Sequence, residues 1–226
     1  MTDILLFAAG FGTRMGALTK NKPKPLIKVA GTTLLDHALH LAETANVGQK
    51  VVNIHYCGDQ IRDHLQEKEV SISDETALIR DTGGGLRHAL PLLHGSPVLT
   101  LNTDAVWVGA NPIPALLDAW TDEMACLLLL VPRDNVHGHK GEGDFITETN
   151  GQLTRGPGAI YSGLQLVRPA LLDEIEYDVF SMNRVWDIAE KRGTLYGIHY
   201  DGAWCDVGQP ESIPIAEALI KASKDV

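Results

Sequence analysis

The chain of 226 residues is 44% hydrophobic and carries 29 acidic against 19 basic side chains, a formal net charge of -10; that suffices for one sizeable core and argues against a nucleic-acid or membrane surface as partner. Cys57, Cys126 and Cys205 lie far apart without metal-type spacing, as expected of free thiols in a reducing compartment. With no basic segment before the first short apolar run and no stretch of about 18 apolar residues, a cytoplasmic protein lacking a signal peptide and a membrane span is expected.

Ile4 to Ala9 has the length of a strand buried on both faces, and Gly10 and Gly12 then let the backbone turn sharply and approach a ligand. Between Ile4 and Leu35 there is no Asp or Glu, whereas Arg14, Lys20, Lys22, Lys24 and Lys28 all fall there. In an acidic chain that segregation marks where a polyanion would sit. The dinucleotide fingerprint would need Gly or Ala where Met15 stands, and the Gly-Lys-Ser/Thr of an ATP-type P-loop is absent. Pro23 and Pro25 restrict the backbone around Lys24, so its ammonium is presented from a preorganised segment.

The first half then alternates helix-like and strand-like runs. Thr33 to Asn46 reads as a helix, Val51 to His55 as a strand, Gly58 to Glu67 as a helix and Ala77 to Arg80 as a short strand. Gly83 to Leu93 reads as a turn and helix, Pro97 to Asn102 as a buried strand, Ile113 to Trp120 as a helix and Ala125 to Val131 as a strongly apolar strand. This pattern predicts a mostly parallel, Rossmann-like α/β sheet covered by helices, with ligands at the carboxyl ends of the strands. From Pro132 the segments shorten, with expected strands at Asp144 to Glu148, Gln152 to Thr154, Leu164 to Val167, Leu195 to Tyr200 and Trp204 to Val207, and a closing helix from Glu211 to Ala222. A single domain is expected, with a nucleotide-binding part at 1–131, a smaller β-rich lobe at 132–210 and a C-terminal helix at 211–226.

The run Ala8-Ala9-Gly10-Phe11-Gly12-Thr13-Arg14-Met15, with Leu18-Thr19 and Pro23-Lys24-Pro25-Leu26, resembles the signature of the sugar-1-phosphate nucleotidyltransferases, and the likeness extends from the first strand to Gly208. It implies the nucleotide-diphospho-sugar transferase fold, with the glycine loop wrapping a triphosphate and the lysine between prolines touching the reacting phosphates. Ala9, Gly10, Gly12, Thr13, Arg14 and Lys24 are thereby expected to bind nucleotide, Arg14 and Lys24 with a catalytic part. Gly16-Ala17 departs from the family pattern, in which proline commonly precedes the Leu-Thr pair, without removing a charged group.

Arg80-Asp81-Thr82-Gly83-Gly84-Gly85-Leu86 lies between a strand-like and a helix-like run, where Asp81 or Thr82 would also serve as a helix cap. By resemblance it is the family's base-binding turn, so Asp81, Thr82, Gly83 and Gly84 are expected at the nucleobase. The run Val98 to Leu101 ends in Asn102-Thr103-Asp104, which puts polar groups at a strand's carboxyl end. Asn102 is expected at the nucleotide. By the same resemblance Asp104, and Asp206 of Trp204-Cys205-Asp206-Val207-Gly208, are the ligands of Mg2+, an ion that prefers oxygen and needs only one or two carboxylates beside phosphate oxygens.

The loop from His137 to Phe145, the triplet Tyr161-Ser162-Gly163 and the short chain look like the muramate-specific branch of the family. That implies N-acetylmuramate 1-phosphate and UTP as substrates, UDP-N-acetylmuramate and pyrophosphate as products, and a place in cell-wall sugar recycling. Gly143, Asp144 and Gly163 are expected to line the sugar pocket. His137, His139, Lys140 and Arg155 offer positive charge or donors for the lactyl carboxylate of such a sugar. The pair His137 and His139 lacks a third metal ligand, and the four tryptophans read as packing groups. The other readings are a mannose- or glucose-1-phosphate nucleotidyltransferase and a nucleotide sensor without catalysis. No protein partner is implied.

Overall fold

The computed structural model describes residues 1–224, so the last two residues of the expected 211–226 helix lie outside the described residues. The chain opens with β1 (Ile4–Phe7), a small ribbon β2 (Lys28–Val29) and β3 (Thr32–Thr33), then α1 (Leu34–Thr44), β4 (Lys50–Ile54), α2 (Gly58–His64), β5 (Ser71–Asp74) and α3 (Asp81–Ala89). There follow β6 (Val98–Asn102), β7 (Ala105–Val108), α4 (Pro112–Ala119), β8 (Cys126–Val131) and β9 (Val136–His137). The remainder comprises β10 (Phe145–Thr147), β11 (Leu153–Arg155), β12 (Ile160–Val167), α5 (Met182–Lys191), β13 (Leu195–His199), β14 (Ala203–Asp206) and α6 (Ser212–Lys224).

Seven strands form the central sheet in the order β13-β8-β12-β6-β1-β4-β5, and every pairing is parallel except those of β12. Side chains alternate across a strand, so one set of core residues faces each layer of helices. Ile4, Leu6, Val52, Ile54, Leu99 and Leu101 pack with Leu35, Leu39, Ile61 and Leu116 of α1, α2 and α4. Leu5, Val51, Val98, Leu128 and Leu130 face the other way, against Leu86 of α3 and Val185, Trp186 and Ala189 of α5. A third cluster joins Met15, Ile27 and Leu34 to Val106, Cys205, Val207 and Ala216, fastening α6 over the segment that carries the basic residues.

The expected α/β sheet is therefore present, three expected segments are reassigned and two unexpected elements are added. Ala77–Arg80 is not a strand: the Leu78 N–H closes a turn on the Glu75 carbonyl, and the edge strand is instead the polar Ser71–Asp74. An edge strand pairs on one side only, so it needs no continuous apolar run. The segments Leu164–Val167 and Leu195–Tyr200, expected in the smaller lobe, belong to β12 and β13 of the central sheet. What remains outside it is the hairpin β10-β11, the three-stranded sheet β7-β14-β9 and the small ribbon β2-β3. Finally, α5 was not expected, and β7 follows Asp104 directly.

The antiparallel β12 enters at the carboxyl edge of the sheet, where Ile160 is the register partner of Val131. The whole excursion 132–159 thus leaves and returns at one point, beside the ends of β1, β4 and β6 where a cleft opens.

Candidate active site

The glycine loop is built for close approach. Gly12 has φ +64°, and a Cβ there would stand 2.8 Å from Cβ of Lys24 and 3.1 Å from Cγ2 of Thr19. Only glycine lets the loop lie directly on the Lys24 backbone. The Gly12 carbonyl accepts from the Met15 N–H and the Thr19 hydroxyl, and the Tyr56 hydroxyl binds the carbonyls of Thr19 and Lys20. Gly16, at φ +58°, takes a kink open to glycine within the following 3-10 turns, so the Gly16-Ala17 departure is accommodated by a tethered segment. Lys24 is buried, and extended backbone at Pro23 followed by Pro25 aims it at the cleft.

The two aspartates come together through β-sheet pairing. Asp206 is the register partner of Ala105, and the Val207 N–H donates to the Asp104 carbonyl. Lys24 Nζ lies 2.9 Å from Oδ2 of Asp104. A Cβ on Gly208 would meet Asp206 Oδ1 at 2.9 Å and Arg14 Nη1 at 3.0 Å, so carboxylate and guanidinium converge on that glycine. Burial holds the Asp206 carboxyl above its ordinary range, the Asp104 charge adds to this, and Lys24, Arg14 and the His139 hydrogen bond oppose it. Neighbouring carboxylates that repel one another are relieved by a cation between them, and oxygen donors suit a hard divalent ion. The residues present fit the expected magnesium. Among the described residues no group of three or more His, Cys, Asp or Glu forms a metal cage.

A cleft of about 460 Å3 opens over these groups, lined by Ala9, Gly10, Gly12, Thr13, Arg14 and Lys24 and by Asp81, Thr82, Asn102 and Asp104. Its apolar lining includes Ile79 and Val179. Asp81 sits in the left-handed region at φ +58°, an arrangement that costs energy in a residue with a side chain and recurs at ligand sites. Beneath the cleft, Asn53 accepts from the Ala8 N–H at 2.7 Å and donates to Glu75 at 2.7 Å, while Glu75 also accepts from the Arg80 N–H at 3.0 Å. This buried chain of hydrogen bonds locks the end of β1 to the entrance of α3.

Gly83 and Gly84 play a different part from the one expected. Their N–H groups both donate to the Phe180 carbonyl, and a Cβ would strike the Phe180 ring at Gly83 or the Asp178 carbonyl at Gly84. They let α3 pack against the 178–180 segment and do not line the cleft. Thr82 does line it, and its hydroxyl accepts from the Met182 N–H.

A second cavity of about 280 Å3 adjoins the first, sharing Phe7, Thr82 and Asn102 with it. Its wall includes Asp144, which accepts from the Tyr161 N–H at 2.8 Å, and Arg155. The floor is polar but satisfied: Trp186 Nε1 donates to Gln165, and Gln165 donates to Thr100. Burial drives the Tyr161 hydroxyl well above the ordinary tyrosine range, a hydrogen bond with Thr100 opposing. Gly143 and Gly163 do not line this cavity. Gly163, at φ +87°, lies where a Cβ would be 2.7 Å from Cβ of Asn102, and Gly143 packs on the backbone of Pro157 and Gly158. His139 Nδ1 lies 3.4 Å from Asp206 Oδ2, His137 pairs in β9 against Cys205, and Lys140 is exposed.

Sequence reasoning gave no site role to Asn53 and Glu75 in the first site or to Tyr161, Gln165, Asn183 and Trp186 in the second. Asn53 interrupts an apolar strand, a pattern that flags a buried polar partner. Trp186 is both a packing group, as expected, and cavity wall.

The chain matches the model of the MobA-like NTP transferase domain over residues 4–149. It is 34% identical to the N-acetylmuramate alpha-1-phosphate uridylyltransferase of Caulobacter vibrioides across 96% of each chain. It is 31% identical to the protein of the same name from Neisseria meningitidis, across 97% of this chain and 99% of the other. Among solved structures, HddC of Yersinia pseudotuberculosis complexed with GMP-PN superposes with a TM-score of 0.81 at 20% identity, covering 97% of this chain and all of that one.

Proposed function

The chain belongs to the MobA-like NTP transferase family, and from that premise we propose that this sugar-1-phosphate nucleotidyltransferase joins UTP to N-acetylmuramate 1-phosphate, releasing pyrophosphate. One observation carries the reading: two adjoining cavities meet at Phe7, Thr82 and Asn102, and the first is furnished with Arg14 and Lys24. A group transfer between two anionic substrates needs such a pair of sites, with cations where they meet. The choice of uridylyl donor and muramate acceptor rests on the likeness to the Caulobacter and Neisseria enzymes.

In this reading an oxygen of the sugar phosphate attacks the α-phosphorus, the bond to the bridging oxygen of pyrophosphate breaks, and no covalent enzyme intermediate forms. The protein contributes positioning and positive charge. The loop from Ala9 to Thr13 cradles the phosphates. Arg14 and Lys24 offset charge on the transferring group and on the departing pyrophosphate. Asp81, Thr82 and Asn102 face the nucleoside, and Asp144 binds sugar hydroxyls. Asp104 and Asp206 would hold Mg2+, which when bound supplies further positive charge to the phosphate oxygens.

We assign residues 1–131 to the donor nucleotide, 132–210 chiefly to the sugar, and the C-terminal helix to closure of the basic segment. Among the described residues no helix is long and apolar enough to cross a membrane. The phosphorylated substrates place the work in the cytoplasm, in recycling of cell-wall sugar.

The test is pyrophosphate release with UTP, dTTP and GTP against the 1-phosphates of N-acetylmuramate, N-acetylglucosamine, glucose and mannose. The highest kcat/KM is expected for UTP with N-acetylmuramate 1-phosphate. A clear preference for GTP with mannose 1-phosphate would overturn the uridylyl assignment, and nucleotide binding without turnover of any pair would leave a sensor.

A further inference from the structure

The second cavity has one cationic side chain in its wall among the described residues, Arg155, and one acidic side chain, Asp144. Most of what lines it, including Phe145, Tyr161, Gln165 and Asn183, is aromatic or neutral and polar, which is the lining a neutral hexose needs. Arg14 and Lys24 of the adjoining cavity are available to the phosphate of such a sugar, so Arg155 is surplus to its neutral ring.

The setting of Arg155 is that of a held guanidinium. Its Cζ lies 4.8 Å from the centre of the Phe145 ring and 5.3 Å from that of Trp186, and both rings belong to the cavity wall. Nη2 donates to Asn183 Oδ1 at 2.8 Å and meets Asp187 Oδ1 at 3.3 Å. The backbone beneath is fixed as well, because Arg155 pairs with Phe145 in the β10-β11 hairpin and its N–H donates to Glu190 of α5. Both side-chain hydrogen bonds run from the one nitrogen, so Nε and Nη1 remain available as donors. A planar guanidinium backed by two rings loses little freedom when a carboxylate binds, and the charged hydrogen bonds it makes are strong. The 3.3 Å contact to Asp187, an exposed residue, is long for an ion pair and readily surrendered.

We propose that Arg155 is the specificity residue for a carboxylate borne by the acceptor sugar, so that the second cavity selects acidic hexose 1-phosphates over their neutral counterparts. The inference rests on the uridylyltransferase reading and refines it: the lactyl ether of muramate carries such a carboxylate, which N-acetylglucosamine lacks. Asp144, of the same sign as that carboxylate, is left to the sugar hydroxyls.

The deciding experiment is a kcat/KM ratio, measured with UTP, for N-acetylmuramate 1-phosphate against the same compound with its lactyl carboxylate converted to the carboxamide. Wild-type protein is expected to favour the carboxylate by roughly 10- to 100-fold. In Arg155→Gln the ratio should fall to near unity, and Arg155→Lys, which keeps the charge without the planar fork, should hold an intermediate ratio and serve if the Gln variant folds poorly. A merely structural arginine tying β11 to α5 would lower both rates together and leave the ratio unchanged, and that result overturns the proposal. Wild-type protein that distinguishes the two compounds while Arg155→Gln distinguishes them equally well removes Arg155 alone. Wild-type protein that turns over neither compound, yet turns over a neutral hexose 1-phosphate, removes the muramate reading and the proposal with it.

Discussion

The Lys24 ammonium stands 2.9 Å from Oδ2 of Asp104, across a separation of 80 residues in sequence. The cation expected at the transferring phosphate and a carboxylate expected at the metal are thus already partners, and ligand binding must redistribute that pair. Lys24→Ala is expected to lower kcat by on the order of 10² or more, because charge at the transferring group counts most in the transition state. Steady-state kinetics together with a circular dichroism spectrum like that of the wild type would establish this. Near-normal turnover would remove Lys24 from the mechanism.

Asp206→Asn should separate stability from activity. The folded protein holds this carboxyl above its ordinary range through burial and the neighbouring Asp104 charge. A group whose pKa is raised on folding contributes stability at low pH and loses it as pH rises through the folded value, so near pH 7 the ionised carboxylate is carried at a cost. The variant is expected to melt above the wild type without metal, and to lose Mg2+-dependent turnover. Melting curves in EDTA and a magnesium titration of rate provide the two readings, and a lower Tm would show that Asp206 is structural.

Asp104→Asn is expected to weaken magnesium-dependent activity too, while also releasing Lys24 from its partner. The rise in the magnesium concentration needed for half-maximal rate should be tenfold or more, since a metal with few protein ligands loses one of its charges. An unchanged magnesium dependence would assign Asp104 to holding Lys24 only.

Gly12→Ala tests the close approach of the loop. With φ at +64° and 2.8 Å to Cβ of Lys24, the added methyl both strains the backbone and pushes the lysine away. The expected cost is about 1–3 kcal/mol in stability with at least a tenfold loss in kcat/KM for the nucleotide. Denaturant unfolding and a UTP titration measure these, and a variant with wild-type kinetics would refute the packing argument.

Glu75→Gln replaces an acceptor oxygen by an N–H2 group facing either Asn53 or the Arg80 N–H, both of them donors to Glu75. One buried donor is then left without a partner, a loss of about 1–3 kcal/mol in stability. Because the same chain of hydrogen bonds sets the cleft floor, KM for the nucleotide should rise more than kcat falls. Equal stability by chemical denaturation would contradict this.

The parts of the fold that were legible in the sequence are those where burial is two-sided. The cores of β1, β4, β6 and β8 are short apolar runs, and their helices carry stripes at helical spacing. Ser71–Asp74 was not legible, because an edge strand answers to pairing geometry that local composition does not record. The helix α5 was legible and went unread: Met182, Val185, Trp186 and Ala189 recur at helical spacing behind a Ser181 cap. At the site, the glycine loop and Lys24 could be read because charge and chain-bending residues are concentrated within one stretch. Asn53, Glu75 and Trp186 could not be assigned in the same way, since their place is set by strands and helices meeting from distant parts of the chain. Gly83, Gly84 and Gly163 show the converse: glycine marks close approach, and the sequence does not say whether a ligand or a side chain such as Asn102 is what approaches.

Because Val131 and Ile160 are register partners, the excursion 132–159 is a loop closed at its own base by the sheet. Its length and composition can change without re-threading any central strand, as the closure entropy grows only slowly with length. The segment bearing Asp144 and Arg155 is in effect an interchangeable fitting on a fixed mount. One part of the acceptor wall can be rewritten by exchanging the stretch between β9 and β12, while β9 stays paired with the strand that carries Asp206 and the triphosphate loop, Lys24 and the two aspartates keep their relation to one another.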